Sequence, residues 1–480
     1  MNYNCLDLLD GCAIMIISVV FYNFYLNGGK KCQILSKKNS SDGTEIACDV
    51  RSSLIDFLKK IIFSEKFLSS NKSSSNNFTR NRILPFHYII FFLMNLIKGS
   101  YQDELDYFFK AIDHSETFAR KVTKSAFCKA RKKLKPEAFI QLSMEAVKYF
   151  YNHFNPKKWL GFNLLAIDGS TVKIPRTTEV EKHFGVWCAN SQNPRPLARI
   201  SQMFDVLNKI TIDAIIAPKA TGERDLCETH FLKLMPNDLV LLDRGYPAFW
   251  LFSLILSWGA NFCARVQVDK WTQIRKFFRS GKLQKVIDLK ASGSSLAKCR
   301  ELGLDTVGLK LRLIRIELEN GQTEILITSL IDTEKYPVEI FSDLYHHRWP
   351  VEEDYKAMKC RIEIENFTGK SVQSVYQDFH ARIFSKNLTA ILIFPTRLDI
   401  EQIDENRLHQ YQINFTQTLS KMKDTIVLLF VRPLDVAKNL IATLHDLLIK
   451  TTEPVRPNRK YPRNHKIQQK CFYPCYKPVR

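Results

Sequence analysis

Acidic residues, closely spaced cysteines and long apolar runs are scarce in this sequence of 480 residues. Its 49 Asp and Glu residues are outnumbered by 70 Lys and Arg residues, which leaves a formal net charge of +21. Such an excess of positive charge attracts polyanions, and the polyanions that proteins usually bind are DNA and RNA. A merely basic surface would give the same charge, so nucleic-acid binding needs support from motifs.

The 12 cysteines are too scattered for the disulfide framework that stabilises small secreted domains. Only Cys471 and Cys475 lie close together, with His465 nearby. A structural zinc site usually needs a second close pair of ligands, and the sequence has none. We therefore expect free thiols in a reducing compartment.

The apolar run near the N-terminus, residues 12–26 (CAIMIISVVFYNFYL), is shorter than the roughly 20 residues that a membrane-spanning helix needs. It follows Asp7 and Asp10, whereas a signal peptide begins with positive charge. A core helix or an N-terminal extension fits the run better than a membrane or secretion signal. We expect no association with a membrane.

The length predicts several domains. Residues 1–77 form an N-terminal extension that ends in a polar, low-complexity linker at 69–77 (SSNKSSSNN). A helical pattern then covers 78–158, and its segment 120–135 carries eight Lys or Arg and no acid. Helices of this kind can lie in a major groove, although a non-specific phosphate patch is an equal alternative. The candidate DNA-binding residues of this segment are Lys129, Arg131, Lys132 and Lys133.

Strands and helices alternate from residue 159, which predicts an α/β fold. Its first part covers 159–268, and its second part, with C-terminal helices, covers 331–450. The segment 269–330 mixes basic and β-branched stretches with turn residues, and Asn320-Gly321 predicts a hairpin, so we interpret it as a β-rich insertion. The basic, proline-containing tail 451–480 is predicted to be irregular.

Two aspartates directly follow apolar runs that are typical of buried strands. Asp168 follows LLAI and Asp243 follows LVLL. A carboxylate at the end of a strand is exposed at the edge of the sheet, where α/β proteins place ligand-binding groups. Either aspartate alone is equally compatible with a helix N-cap or a turn.

The segment 345–359 (YHHRWPVEEDYKAMK) contains a more specific pattern. On a helix, Tyr345, Arg348, Glu352 and Lys359 fall within about 60° of one another. One face would then combine an acid, two cations and a phenol, which a merely solvated charged face explains poorly. Pro350 lies inside the segment, so the helix either begins there or kinks.

These four residues resemble the Y-x2-R-x3-E-x6-K signature of the IS4-family insertion-sequence transposases, which include the Tn5- and Tn10-like enzymes. IDGST around Asp168 and LLDRGYP around Asp243 look like the two aspartate motifs of this DDE family. FTRNRILPFHYIIFFLMNLIKGS and SAFCKARKKLKPEAF resemble its N-terminal region. The resemblance extends from about residue 78 to the C-terminus.

The resemblance implies an RNase H-like catalytic core, a mixed sheet flanked by helices, with the β-rich insertion between the second Asp and the Glu and a helical domain before it. It also implies that Asp168, Asp243 and Glu352 are the catalytic residues and the ligands of two Mg²⁺ ions, for which Mn²⁺ can substitute. Tyr345, Arg348 and Lys359 would hold DNA phosphates, in addition to the candidate residues of the basic segment 120–135. Arg244 could also hold a phosphate, although a surface salt bridge is an equal alternative for it.

The same resemblance implies double-stranded DNA as partner, both the transposon ends and the target, and a homodimer that brings two ends together in the bacterial cytoplasm. Cutting would release a 3′-OH that joins target DNA, by way of a hairpin. An inactive DNA-binding relative and an RNase H-fold nuclease are the alternatives. Tn5-like enzymes support a flipped base with a Trp just before an apolar strand, but Glu324 precedes ILITS here and Trp271 is the nearest aromatic candidate.

Overall fold

The structure is a computed structural model that describes residues 42–80, 82–187, 195–318, 321–404 and 410–455. Side chains are described there except at 42–49, Asp404 and Asp424. Several predicted features lie outside the described residues, namely the run 12–26, the pair Cys471 and Cys475, Asn320 of the hairpin and most of the tail. None of the described helices is both long and apolar enough to cross a membrane.

The helices, numbered in chain order, are α1 (Asp42–Ile62), α2 (Glu65–Asn71), α3 (Phe86–Leu93), α4 (Tyr101–Asp113), α5 (Lys124–Arg131), α6 (Glu137–His153), α7 (Thr178–Phe184), α8 (Glu223–Phe231), α9 (Phe249–Ser257), α10 (Thr272–Arg279), α11 (Gly293–Glu301), α12 (Ile340–His346), α13 (Pro350–Cys360), α14 (Val372–Leu392), α15 (Phe394–Asp404), α16 (Phe415–Val431) and α17 (Leu434–Lys450). The strands are β1 (Asn163–Lys173), β2 (Val186–Trp187), β3 (Arg195–Asp205), β4 (Ile210–Pro218), β5 (Asp238–Leu242), β6 (Asn261–Val266), β7 (Gln284–Leu289), β8 (Leu309–Glu317), β9 (Thr323–Thr328), β10 (Tyr411–Ile413) and β11 (Thr452–Pro454).

A nine-stranded mixed sheet forms the centre of the fold. Strands β1, β3 and β4 are antiparallel neighbours, whereas β5 and β6 run parallel to β1. The resulting order, β4-β3-β1-β5-β6, with α8 before β5 and α9 before β6, is that of an RNase H-like core. The predicted fold class is therefore confirmed. All five residues of β5 are buried, as expected for a parallel strand that helices cover on both faces.

Strand β1 differs from its prediction. The sequence pattern suggests a short strand that ends at Asp168 and a separate returning strand at 171–174. The structure instead has one strand of 11 residues, because β1 pairs with β3 from Leu165 to Lys173. The sequence pattern also suggests two strands, at 199–206 and 210–216, joined at Asn208; this hairpin is present and joins β3 to β4.

The insertion is less β-rich than predicted. It contains three strands, β7, β8 and β9, but also the helices α10 and α11. The spacing of the buried residues in α10 is typical of a helix, because Ile274 and Phe277, three residues apart, are both buried. Strands β8 and β9 form the predicted hairpin, and β9 pairs with β6, so the insertion extends the central sheet.

The N-terminal and C-terminal helices share one hydrophobic core. Leu54 of α1 and Phe91 of α3 belong to the same cluster of buried side chains as Phe430 of α16 and Leu448 of α17. Residues 42–71 are therefore packed against the rest of the protein and do not form a detached extension. The segment 69–77 is no simple linker either, because its first residues complete α2.

Candidate active site

The register of the sheet brings the two predicted aspartates side by side. Ile167 of β1 is paired with Leu242 of β5, so Asp168 and Asp243 occupy the next positions on neighbouring parallel strands. Such strands lie about 4.8 Å apart. Side chains alternate between the faces of a sheet, so both aspartates belong with Leu241 to the face that α12 and α13 cover.

The break at Pro350 decides where the segment 345–359 becomes helical. Helix α12 ends at His346, and α13 begins at Pro350, where a proline suits the first helical turn. Glu352 and Lys359 are on α13, whereas Tyr345 is on α12. The prediction that all four signature residues share one helical face is therefore wrong for the first two.

Tyr345 and Arg348 nevertheless reach the acids. The Tyr345 hydroxyl donates a hydrogen bond to Oδ1 of Asp243 at 3.3 Å, and Nη2 of Arg348 donates to Oε1 of Glu352 at 2.5 Å. Both side chains are buried, with 8% and 6% of their surface exposed. The signature had led us to expect contacts with DNA phosphates. In this arrangement the two side chains bond carboxylates of the protein instead.

Helix α13 is fixed to the strand that carries Asp168. The Tyr355 hydroxyl donates to the main-chain carbonyl of Asp168 at 2.6 Å, and Nζ of Lys359 donates to Oγ of Ser170 at 2.7 Å. Asp354, on the same helix, forms a buried ion pair with Lys386 of α14 at 2.5 Å. The contacts with β1 hold α13, and with it Glu352, near Asp168.

Asp168 is a partly buried acid that forms no ion pair with the described residues. Its pKa is raised to about 6, chiefly by burial and also by the nearby Glu352 and Asp243, which together outweigh the hydrogen bond from the Gly169 N–H and the charge of Arg348. The Gly169 N–H, at 2.9 Å, is the one hydrogen bond that the described residues give to its carboxylate. The three carboxylates are therefore near enough to influence one another's charge.

Asp243 behaves in the opposite way. Burial raises its pKa, but hydrogen bonds from the Arg244 N–H and from Arg265, with the charges of Arg265 and Arg348, outweigh burial and hold it below its usual value. Arg265 donates to Oδ1 of Asp243 from Nε at 3.0 Å and from Nη2 at 2.7 Å. Its Nη1 bonds Glu324, so one guanidinium joins two carboxylates.

Our sequence interpretation did not include Arg265, although a signal for it exists. Arg265 is the first charged residue after the apolar run FCA of β6, as Asp243 is after LVLL of β5. Leu242 is paired with Ala264, so the next residues on these parallel strands are Asp243 and Arg265. That Asp243 and Arg265 are neighbours can be predicted only once the order of the strands in the sheet is known.

The donor set fits a divalent ion such as Mg²⁺, which prefers hard oxygen ligands. Asp168, which forms no ion pair with the described residues, is where a bound cation would relieve the cost of burial. Within the described ranges, however, no three acidic, His or Cys side chains already surround one metal position. Asp243 and Glu352 are each engaged by an arginine instead.

The basic segment contains one prediction that is wrong. Arg131 is 3% exposed and forms an ion pair with Asp378 at 2.8 Å, with a further hydrogen bond to Gln377. It therefore ties α5 to α14 and cannot contact DNA. Lys129 and Lys132 are exposed and Lys133 is half-buried, so these three remain open candidates.

The remaining candidates occupy ordinary surroundings. Arg244 is exposed, and its side chain pairs with no acid in the described part of the chain, so the alternative of a surface salt bridge is not seen. Trp271 packs beside Phe252, with ring centroids 6.2 Å apart, at the start of α10. Glu324 is paired with Arg265, which also bonds Asp243.

Comparison with known proteins finds similarity to transposases. Residues 159–388 match the family described as transposase DDE domain. The chain is 26% identical over 271 residues to the transposase InsG for insertion sequence element IS4 of Escherichia coli (strain K12), which covers 56% of this chain and 60% of that protein. It is 27% identical over 111 residues to the putative transposase InsZ of the same organism, which covers 22% of this chain and 36% of that one.

The matched stretches thus span less than two thirds of either relative. Among solved structures, the cryo-EM structure of the piggyBac transposase synaptic complex with hairpin DNA aligns over 86% of this chain and 88% of that chain, with 11% identity and a TM-score of 0.43. The range that matches the DDE domain contains Asp168, Asp243 and Glu352. Residues 159–388 are thus similar to the DDE domain of transposases, and the curated relatives include a transposase of insertion sequence element IS4.

Proposed function

We propose that this chain is a DNA transposase that binds the terminal inverted repeats of an insertion sequence, cuts the ends and joins their 3′-OH groups to target DNA. The observation that carries the proposal is the position of Asp168 and Asp243 at the next points of the neighbouring strands β1 and β5, with Glu352 near enough to influence the charge of Asp168. The net charge of +21 supports double-stranded DNA as the substrate. Its place would be the bacterial cytoplasm, where chromosomal DNA lies.

The three acids would hold two Mg²⁺ ions, with Mn²⁺ as a substitute, Asp168 as the shared ligand and Asp243 and Glu352 each completing one site. Bound there, the ions would activate the attacking oxygen and stabilise the leaving oxygen of a phosphodiester. Arg348 would orient Glu352, and Tyr355 would hold the strand under Asp168. These residues fix the acids before DNA arrives, which favours catalysis by positioning.

The surface around the pocket would hold the DNA backbone. Lys359 and the exposed Arg244 flank the acids, and an ammonium or guanidinium group is suited to a phosphate. Lys129, Lys132 and Lys133 would add contacts farther along the duplex. The reaction would begin with water attack at the transposon end, and the freed 3′-OH would attack the opposite strand to form a hairpin, which is reopened before joining. Two chains would hold the two ends.

The test is Mg²⁺-dependent cleavage of DNA that carries the ends of the element encoding the protein. Asp168→Ala, Asp243→Ala and Glu352→Ala should each abolish cutting and retain DNA binding. Glu353→Ala is the matched control, because Glu353 is next to Glu352 but is exposed and paired with Lys356. Cleavage that survives the loss of one of the three acids would refute the role of that acid.

A strand-transfer assay with a pre-cut end separates a transposase from a nuclease that shares its fold. The proposal expects the pre-cut 3′-OH to become joined to a target plasmid. Cutting without joining would identify a nuclease. Binding of the ends with neither cutting nor joining, in the presence of Mg²⁺ or Mn²⁺, would identify an inactive relative.

A further inference from the structure

Arg265 joins the acidic pocket to a carboxylate outside it. Two of its nitrogens bond one oxygen of Asp243, at 3.0 and 2.7 Å, and the third bonds Glu324. Its side chain is 25% exposed, and those of Asp243 and Glu324 are 30% and 19% exposed. The three groups lie on adjacent strands, β5, β6 and β9, so the sheet itself sets their spacing.

The contact with Asp243 uses an oxygen that a metal ligand would need. A divalent cation and a guanidinium both bind carboxylate oxygens, so the two compete for Oδ1 of Asp243. Leaving a partly buried arginine without a counter-charge is costly. Glu324 reduces that cost, because it already accepts a hydrogen bond from Nη1 of Arg265. It can remain paired with the guanidinium when a metal ion binds Asp243.

We propose that Arg265 is a positioning residue that clamps Asp243 while no divalent ion is bound and remains on Glu324 when an ion takes Asp243. The inference rests on the proposed function, since it concerns the metal site of the same pocket. Glu324 acts through Arg265 in this scheme and is not itself a metal ligand. The clamp makes the protein hold its acidic pocket together before the ion binds, at the expense of metal affinity.

The experiment measures Mn²⁺ binding to the full chain without DNA, from the electron paramagnetic resonance signal of free Mn²⁺. Arg265→Gln should bind Mn²⁺ more tightly, by about fivefold, as expected when a partly exposed ion pair stops competing. Glu324→Gln should bind Mn²⁺ more weakly. In the Arg265→Gln background, Glu324→Gln should have no effect, because its influence passes through the arginine.

Arg244→Gln is the matched control. It removes the same charge from the residue next to Asp243, but the Arg244 side chain pairs with no described acid, and an exposed charge is well screened. If Arg265→Gln tightens binding no more than Arg244→Gln does, the clamp is refuted. If the effect of Glu324→Gln persists without Arg265, Glu324 acts on the ion directly and the scheme is also refuted.

Two further measurements keep the test decisive. Arg265→Lys keeps the charge but cannot hold two carboxylates in a fork, so it too should bind Mn²⁺ more tightly than wild type, and unchanged affinity would refute the clamp. It serves if the glutamine variant does not fold. If wild-type protein binds Mn²⁺ no better than Asp168→Ala, the metal site itself is absent, and the proposed function fails whatever Arg265 does.

Discussion

Replacing Asp168 with Asn should abolish DNA cleavage and make the protein more stable at neutral pH. Asp168 is a partly buried acid whose pKa is raised to about 6, chiefly because of that burial. The folded state must therefore carry an unfavourable anion at pH 7.5. An asparagine has no such charge, and its side-chain oxygen can still accept the hydrogen bond of the Gly169 N–H.

The size of the effect follows from the pKa. An unfolded Asp ionises near 3.9, and each factor of ten in an ionisation constant is worth about 1.4 kcal/mol, so the anion costs the fold on the order of 2–3 kcal/mol. The sign follows from proton binding. Between about pH 4 and pH 6 the folded state binds more protons at Asp168 than the unfolded state does, so stability falls as the pH rises through this window.

Urea unfolding of wild type and Asp168→Asn across this pH range is the assay. We expect the variant to be more stable by up to about 2–3 kcal/mol at pH 7.5 and the gap to close near pH 4. Asp243→Asn is the matched control with the opposite sign, because Arg265 and the Arg244 N–H hold the pKa of Asp243 below its usual value. A stability gap that does not change with pH, or an Asp168→Asn protein less stable than wild type at pH 7.5, would refute the reasoning.

Three further predictions concern the pocket and its supports. At low Mg²⁺, the rate of DNA cleavage should fall as the pH drops below about 6, because protons compete with the metal ion for Asp168. Saturating Mg²⁺ should move this loss of activity to lower pH, which a series of rate measurements at different pH values checks. Asp354→Asn should lower the free energy of unfolding by roughly 3–5 kcal/mol, since it leaves Lys386 buried without its partner, and adding Lys386→Met should recover part of the loss in a denaturant titration. Arg131→Gln should lower thermal stability and leave the salt dependence of DNA binding unchanged. Lys132→Gln should have little effect on stability, but it should reduce the slope of log affinity against log salt concentration by about 0.9.

The acids could be found in the sequence because each ends or interrupts a simple local pattern. Asp168 and Asp243 are the first charges after apolar runs, and Glu352 follows a proline that begins a helix. The length of β1 could not be found in this way. The strand continues past Asp168 because β3, about 30 residues later in the chain, pairs with it as far as Lys173.

Long-range partners explain the other differences. Arg131 lies in a run of lysines and looks solvated, but Asp378, 247 residues away, pairs with it in the interior. Arg265 becomes a neighbour of Asp243 only through the order of strands. Tyr345 and Arg348 reach the acids through the turn between α12 and α13, and not through a shared helical face.

The shared pocket of Asp168, Asp243 and Glu352 is the central claim, and anomalous scattering from Mn²⁺ in crystals of the protein tests it most directly. We predict a manganese peak bonded by carboxylate oxygens of Asp168 and Asp243, at the roughly 2.0–2.3 Å that such ions require, with Glu352 facing the same position. A peak held by other residues, or no peak at these acids in saturating Mn²⁺, would contradict the account.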